Sequence, residues 1–115
     1  DFAETGWKRY ATKASKPYVP YLPAGWDPRP WQDPRPSFAM PDQDQWKTAL
    51  SRIKALLDAH HTLGVPLPEG NRQKMLMIYA WNEFGEGGIV APTEERGFLM
   101  LKGIRNVLHA GKSPE

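Results

Sequence analysis

The chain has 115 residues and a formal net charge of +2, with 40% hydrophobic and 24% charged residues, so we expect one folded domain spanning residues 1–115 rather than a disordered chain. It contains no cysteine, which excludes disulfides and thiolate metal sites. The scattered basic residues and the absence of an apolar run of ~20 residues favour neither a nucleic acid nor a membrane as a partner.

The first half of the chain predicts one strand and a stiff loop. Residues 1–15 suit a short helix or an ordered loop, and residues 18–22 suit a strand. That strand must be short or lie at an edge, because Pro20 and Pro23 cannot donate ladder hydrogen bonds. The sequence DPRP then occurs twice, at 27–30 and 33–36, and residues before proline are held extended.

The second half predicts a helix, a strand and another helix. Residues 41–64 carry Trp46, Leu50 and Ile53 at helical spacing, with Gly64 placed to end the helix. Residues 75–81 are apolar on both faces, as in a strand buried within a parallel sheet. Thr93 is a suitable N-cap for the last helix. This alternation of strands and helices predicts an α/β chain with parallel pairing.

Two glutamates, Glu83 and Glu86, follow the strand 75–81 in the stretch IYAWNEFGEGG. Reactive groups of parallel α/β folds gather past the carboxyl ends of strands. A helix-like turn after Glu83 would bring the two Cβ atoms to about 5–6 Å, and the nearby glycines make such a turn easy. Two carboxylates about 5–5.5 Å apart suit glycoside hydrolysis with retention. Glu83 and Glu86 are therefore candidate catalytic residues, and two solvated turn residues are the alternative that the spacing alone leaves open.

Neighbouring side chains are candidates for binding a sugar. Tyr79, Trp81 and Trp26 could form aromatic surfaces, while Asp27 could accept a hydrogen bond from a hydroxyl group. The same residues also permit a structural interpretation, in which the glutamates are solvated turn residues and Trp26 packs beneath an Asp-Pro turn. Adjacent histidines on a helix point to different faces, so we expect no metal site at residues 60–61.

The stretch WNEFGEG resembles the strand-end signature of the endo-acting α-mannosidases of glycoside hydrolase family 99 and the related WbsX-like proteins of bacterial glycan loci. The upstream stretch PYVPYLPAGWDPRP is similar to the segment of those proteins in which a proline-flanked strand runs into Gly-Trp-Asp. The resemblance spans residues 17–92. It implies a partial (β/α)8 (TIM) barrel made of the last two βα units, with parallel strands and helices on the outside.

The resemblance also implies the chemistry. Glu83 maps to the carboxylate that deprotonates the sugar 2-hydroxyl, and Glu86 maps to the general acid/base. Asn82 would orient Glu83 or contact the sugar. The implied activity is hydrolysis of an α-linked, mannan-like oligo- or polysaccharide without a metal or organic cofactor. The alternatives are a non-catalytic carbohydrate-binding module and an inert structural fragment.

Two βα units cannot close a barrel, which needs ~200–250 residues. Unpaired sheet edges tend to be covered. We therefore expect either the C-terminal part of a larger barrel or a chain that completes itself as a homo-oligomer. The residues themselves leave the compartment unknown, whereas the family resemblance favours a secreted or periplasmic protein.

Overall fold

The computed structural model describes residues 2–109 of the chain. Within that range lie three α-helices, two turns of 3-10 helix and six short strands. The α-helices are α1 (Phe2–Lys13), α2 (Gln43–Ala59) and α3 (Leu99–Leu108), and the 3-10 turns are η1 (Arg29–Trp31) and η2 (Phe84–Glu86). The strands are β1 (Tyr21–Pro23), β2 (Val65–Pro66), β3 (Arg72–Gln73), β4 (Met77–Tyr79), β5 (Asn82–Glu83) and β6 (Gly88–Ile89). None of the described helices has the length and hydropathy of a membrane span.

The prediction of a partial (β/α)8 barrel is wrong, although a mixture of helices and strands is present. The described strands pair only two at a time, as β1 with β4, β2 with β3 and β5 with β6. Only β1 and β4 run parallel, while the other two pairs are antiparallel. None of these strands exceeds three residues, and prolines in β1 and β2 remove ladder donors. Such pairs provide no βα units of a barrel.

The prediction of a long buried strand at residues 75–81 is also wrong. Within that stretch only Met77–Tyr79 is a strand. The next strand, β5, belongs to a different pair, because it pairs with β6. Met75, Met77 and Trp81 are 45%, 57% and 57% exposed. The predicted self-association that would cover such apolar groups stays a prediction.

The Cα packing divides the chain into two compact units. Unit 1 comprises residues 1–22 and 52–77, and its core includes Trp7, Leu56 and Leu63. The indole Nε1–H of Trp7 donates to the carbonyl of Tyr21 at 2.8 Å.

Gly64, which the sequence predicts to end α2, lies beyond that helix at a φ of 97°. A Cβ there would lie 2.2 Å from the carbonyl oxygen of Gln73, so only glycine fits where the β2–β3 hairpin closes.

Unit 2 comprises residues 23–51 and 78–115. Its core is centred on Trp46, whose side chain is 1% exposed and whose indole N–H donates to the carbonyl of Met100 at 3.0 Å. The predicted start of α3 at Thr93 is displaced, because α3 begins at Leu99. The Thr93 hydroxyl instead accepts the amide N–H of Arg96 at 3.1 Å within a separate turn.

The start of α2 shows a reciprocal capping box. The amide of Gln45 donates to the Asp42 carboxylate at 2.8 Å, and the Gln45 side-chain oxygen accepts the amide of Asp42 at 3.0 Å. Replacing Asp42 by alanine should lower the free energy of unfolding by about 1 kcal/mol, because one helical N–H loses its acceptor. Urea unfolding measures the change.

Two further variants separate the effect of the hydrogen bond from that of the charge at the helix end. Asp42→Asn keeps an oxygen acceptor and should retain most of the stability. Asp44→Ala removes a carboxylate from the same first turn of α2 without touching the capping box. If Asp44→Ala destabilised the chain as much as Asp42→Ala, helix-end charge rather than the hydrogen bond would account for the effect.

Candidate functional site

The two candidate glutamates lie on one tight hairpin in unit 2. Strand β5 pairs antiparallel with β6, so that Asn82 is opposite Ile89 and Glu83 is opposite Gly88. The 3-10 turn η2 fills the connection and holds Glu86 as its last residue. Gly87 closes the turn at φ 67° and ψ 17°, which is a left-handed conformation suited to glycine. Both glutamates are half-buried, and a single helical turn connects them.

Glu86 is anchored through both its side chain and its backbone. The Tyr79 hydroxyl donates to Glu86 Oε2 at 2.5 Å in a half-buried environment. The carbonyl of Glu86 accepts the amide N–H of Asp27 at 2.7 Å, and the carbonyl of Tyr79 accepts the amide of Ala24 at 2.6 Å. These bonds hold β4, the segment 24–27 and the hairpin together, so the Glu86 carboxyl has a fixed orientation.

The segment 24–27 approaches the hairpin very closely at Gly25. A Cβ at this residue, whose φ is 156°, would lie 2.2 Å from the carbonyl oxygen of Gly87. The backbone could not pass there with any other residue type. The Gly-Trp-Asp of the sequence therefore places Trp26 and Asp27 directly beside the hairpin that carries the glutamates.

Glu83 lies beside a tryptophan that the sequence did not suggest. A Cβ built on Gly85 would lie 3.7 Å from Glu83 Oε1 and 3.0 Å from Cζ2 of Trp31. The indole of Trp31 therefore lies over the turn, in space that the glycine leaves open. It is 62% exposed, so an aromatic face next to the glutamates is available to solvent. The signal that the sequence offers near residue 31 is the repeated DPRP on either side of it.

The aromatic residues predicted to bind a sugar differ in exposure. Trp26 is half-buried, with its ring centroid 6.2 Å from that of Tyr79 and the two planes tilted by 57°. The guanidinium carbon of Arg35 lies 5.2 Å from the Trp26 ring centroid, so a cation already occupies part of that aromatic surface. Trp81 is 57% exposed, and Asn82 is also exposed.

The two DPRP repeats form the same Asp–Arg ion pair. Arg29 binds Asp27 through Nε and through a terminal nitrogen, both at 2.7 Å, and Asp27 Oδ1 also accepts the Arg29 amide at 3.1 Å. Arg35 and Asp33 repeat this arrangement. The hydrogen-bonded Arg29 side chain lowers the pKa of Asp27 from its ordinary 3.8 to about 2. Because Asp27 is an ionised carboxylate already bound by Arg29, a sugar hydroxyl must compete with that guanidinium.

Arg35 also brings positive charge toward the glutamates. The hydrogen-bonded carboxylate of Asp33 raises the pKa of the Arg35 guanidinium, and the negative charge of Glu86 adds a smaller effect in the same direction. Both effects favour the cationic form of the arginine. Among residues 2–109, no group of three or more His, Cys, Asp or Glu side chains could hold a metal ion.

Comparisons with protein-family models, curated proteins and solved structures find no match to this chain. The resemblance of the WNEFGEG stretch to glycoside hydrolase family 99 therefore stays a prediction that rests on the motif.

Proposed function

We propose that the β5–η2–β6 hairpin hydrolyses an α-linked, mannan-like glycan with retention, using Glu83 and Glu86. The observation that carries the proposal is the hydrogen bond from the Tyr79 hydroxyl to Glu86 Oε2. This hydrogen bond fixes the carboxyl of Glu86 at the end of η2, the turn that begins directly after Glu83. A general acid/base needs such a fixed orientation toward the bond that it protonates.

The proposed reaction divides the work between the two glutamates. Glu83 takes the proton of the sugar 2-hydroxyl, whose oxygen attacks the anomeric carbon, while Glu86 gives its proton to the departing oxygen. Glu86 then takes a proton from water as the water opens the three-membered ring, and Glu83 returns a proton to the 2-oxygen. Two inversions at the anomeric carbon give net retention, and both glutamates end in their starting protonation states.

Exposed aromatic rings support a carbohydrate as the ligand. Phe84 lies on the hairpin, Trp81 directly precedes it, and Trp31 lies on η1, which contacts η2. The exposed fractions of these side chains are 64%, 57% and 62%. Aromatic faces bind the apolar faces of sugar rings, and such a contact removes the exposed apolar surface of the ring from water. Asn82, next to Glu83 and exposed, supplies a donor and an acceptor for sugar hydroxyls.

A second candidate is carbohydrate binding without hydrolysis. The same three exposed rings support it, because a binding surface requires no particular orientation of Glu86. The two functions differ in whether glycan is cleaved, so one experiment with two readouts separates them.

The test uses α-linked mannan oligosaccharides, with release of reducing ends and binding both measured. The wild-type chain should release reducing ends, and Glu83→Gln should abolish the release while leaving binding intact. Glu95→Gln is the matched control, because it removes an exposed carboxylate in the turn before α3. Binding without release by the wild type would favour the second candidate, and neither binding nor release would contradict both.

A further inference from the structure

The positive charge of the chain is concentrated in unit 1. Residues 1–22 and 52–77 contain eight lysines and arginines against four aspartates and glutamates, a formal charge of +4. Residues 23–51 and 78–115 contain seven basic against nine acidic residues, a formal charge of −2. The modest net charge of the whole chain therefore conceals a distinctly cationic unit.

Two carboxylates of unit 1 take up four of its cations. Glu4 and Asp58 each accept two of them, in the pairs Glu4–Lys8, Glu4–Arg52, Asp58–Lys54 and Asp58–Lys74, at 2.5–3.3 Å. Within residues 2–109, no such ion pair is formed by Arg9, Lys13 or Lys16. Lys13 lies in the last turn of α1, where a cation complements the helix dipole. The dipole accounts for the position of Lys13 and not for those of Arg9 and Lys16.

These three cations line one cavity of about 440 Å³ together with Tyr10 and Tyr18. The two tyrosine rings lie with centroids 5.0 Å apart and planes tilted by 32°, and Tyr10 is 52% exposed. Burial raises the pKa of Tyr18, so its hydroxyl keeps its proton and can donate a hydrogen bond. Among the residues that the structure describes, none of those lining this cavity is acidic. The cavity has the volume of a small-molecule site.

We propose that this cavity binds a carboxylate-bearing sugar unit of an acidic oligosaccharide. The cations match the carboxylates, the ring of Tyr10 offers a face for stacking, and the tyrosine hydroxyls match sugar hydroxyls. Three cations are few for a nucleic acid, since proteins that bind duplexes through phosphates commonly make about 6–10 phosphate contacts. The choice of a glycan as the class of ligand rests on the proposed function.

Titration calorimetry with tetragalacturonate tests the proposal, with neutral mannotetraose as the reference ligand. Lys13→Ala/Lys16→Ala should weaken tetragalacturonate binding by about tenfold or more, because two charged contacts are lost. Lys47→Ala/Lys102→Ala is the matched control, since it removes the same charge from another cavity, of about 420 Å³, in unit 2. It should change the affinity by less than about twofold. Tyr10→Ala should also weaken binding, without any change of charge.

Three results would overturn the proposal. Equal losses in the two double variants would show attraction by net charge alone. An equally large loss of mannotetraose binding in Lys13→Ala/Lys16→Ala would show that the cations do not act on the carboxylates. Tighter binding of an oligothymidylate of equal charge at the same salt concentration would favour a nucleic acid. The two proposals involve different residues. Hydrolysis without tetragalacturonate binding therefore refutes this inference alone, and binding without hydrolysis refutes the proposed hydrolysis alone.

Discussion

Glu86→Gln should slow hydrolysis of an unactivated α-linked glycan by about 10²–10⁴-fold, because the departing sugar oxygen loses its proton donor. The loss should be far smaller for an aryl glycoside, whose leaving group needs little protonation. Glutamine has nearly the shape of glutamate and can still hydrogen-bond the Tyr79 hydroxyl. The hairpin should therefore keep its structure. Steady-state kcat/KM with the two substrate types measures the difference.

Two control variants make this result specific. Glu83→Gln should depress both substrate types alike, because it removes the base that creates the nucleophile. Glu95→Gln should depress neither. A loss in Glu86→Gln that is equal for glycan and aryl substrates would contradict its role as the acid. Full activity of Glu86→Gln on the unactivated glycan would remove this residue from the chemistry.

Trp46→Ala should destabilise unit 2 by about 3–5 kcal/mol, the usual cost of removing a buried tryptophan. The side chain is 1% exposed, and its removal also leaves the Met100 carbonyl without the indole donor. Gly103 of α3 packs directly on it, since a Cβ at that position would lie 2.6 Å from the Trp46 ring. Chemical unfolding followed by circular dichroism measures the loss.

Trp31→Ala is the matched control, because it removes the same side chain from a position that is 62% exposed. It should change the free energy of unfolding by no more than about 0.5 kcal/mol. If Trp31→Ala also weakens binding of a mannan oligosaccharide, the ring over Gly85 belongs to the sugar-binding surface. Comparable destabilisation by the two variants would contradict the placement of Trp46 at the centre of the core.

Local patterns predicted the presence of α2 and α3, whereas the prediction of the sheet was wrong. The apolar spacing of Trp46, Leu50 and Ile53 predicts α2, because neighbours three and four residues apart share a helix face whatever the rest of the chain does. The barrel prediction failed because strand pairing is decided by distant residues. An apolar run such as 75–81 does not reveal that only Met77–Tyr79 will find a partner strand. The start of α3 was misplaced because Thr93 can cap a turn as readily as a helix.

The candidate site was only partly visible in the sequence. The nearby glycines indicated a helix-like turn between Glu83 and Glu86, and η2 is such a turn. The pairing of β5 with β6, which makes this segment a hairpin, was not predicted. Trp31 and Arg35 could not be predicted, because they reach the site from a proline-rich loop with no regular periodicity. The one available signal was the repeated DPRP. Its ion pairs, Asp27–Arg29 and Asp33–Arg35, hold the loop on either side of Trp31.

The anomeric form of the first-formed product tests the central claim most directly. Cleavage of an α-linked mannan oligosaccharide by the wild-type chain is followed by proton NMR before mutarotation mixes the anomers. Two-step chemistry with Glu83 and Glu86 predicts that the α-anomer appears first and that Glu83→Gln yields no product. A first-formed β-anomer, or undiminished product from Glu83→Gln, would contradict hydrolysis with retention by this glutamate pair.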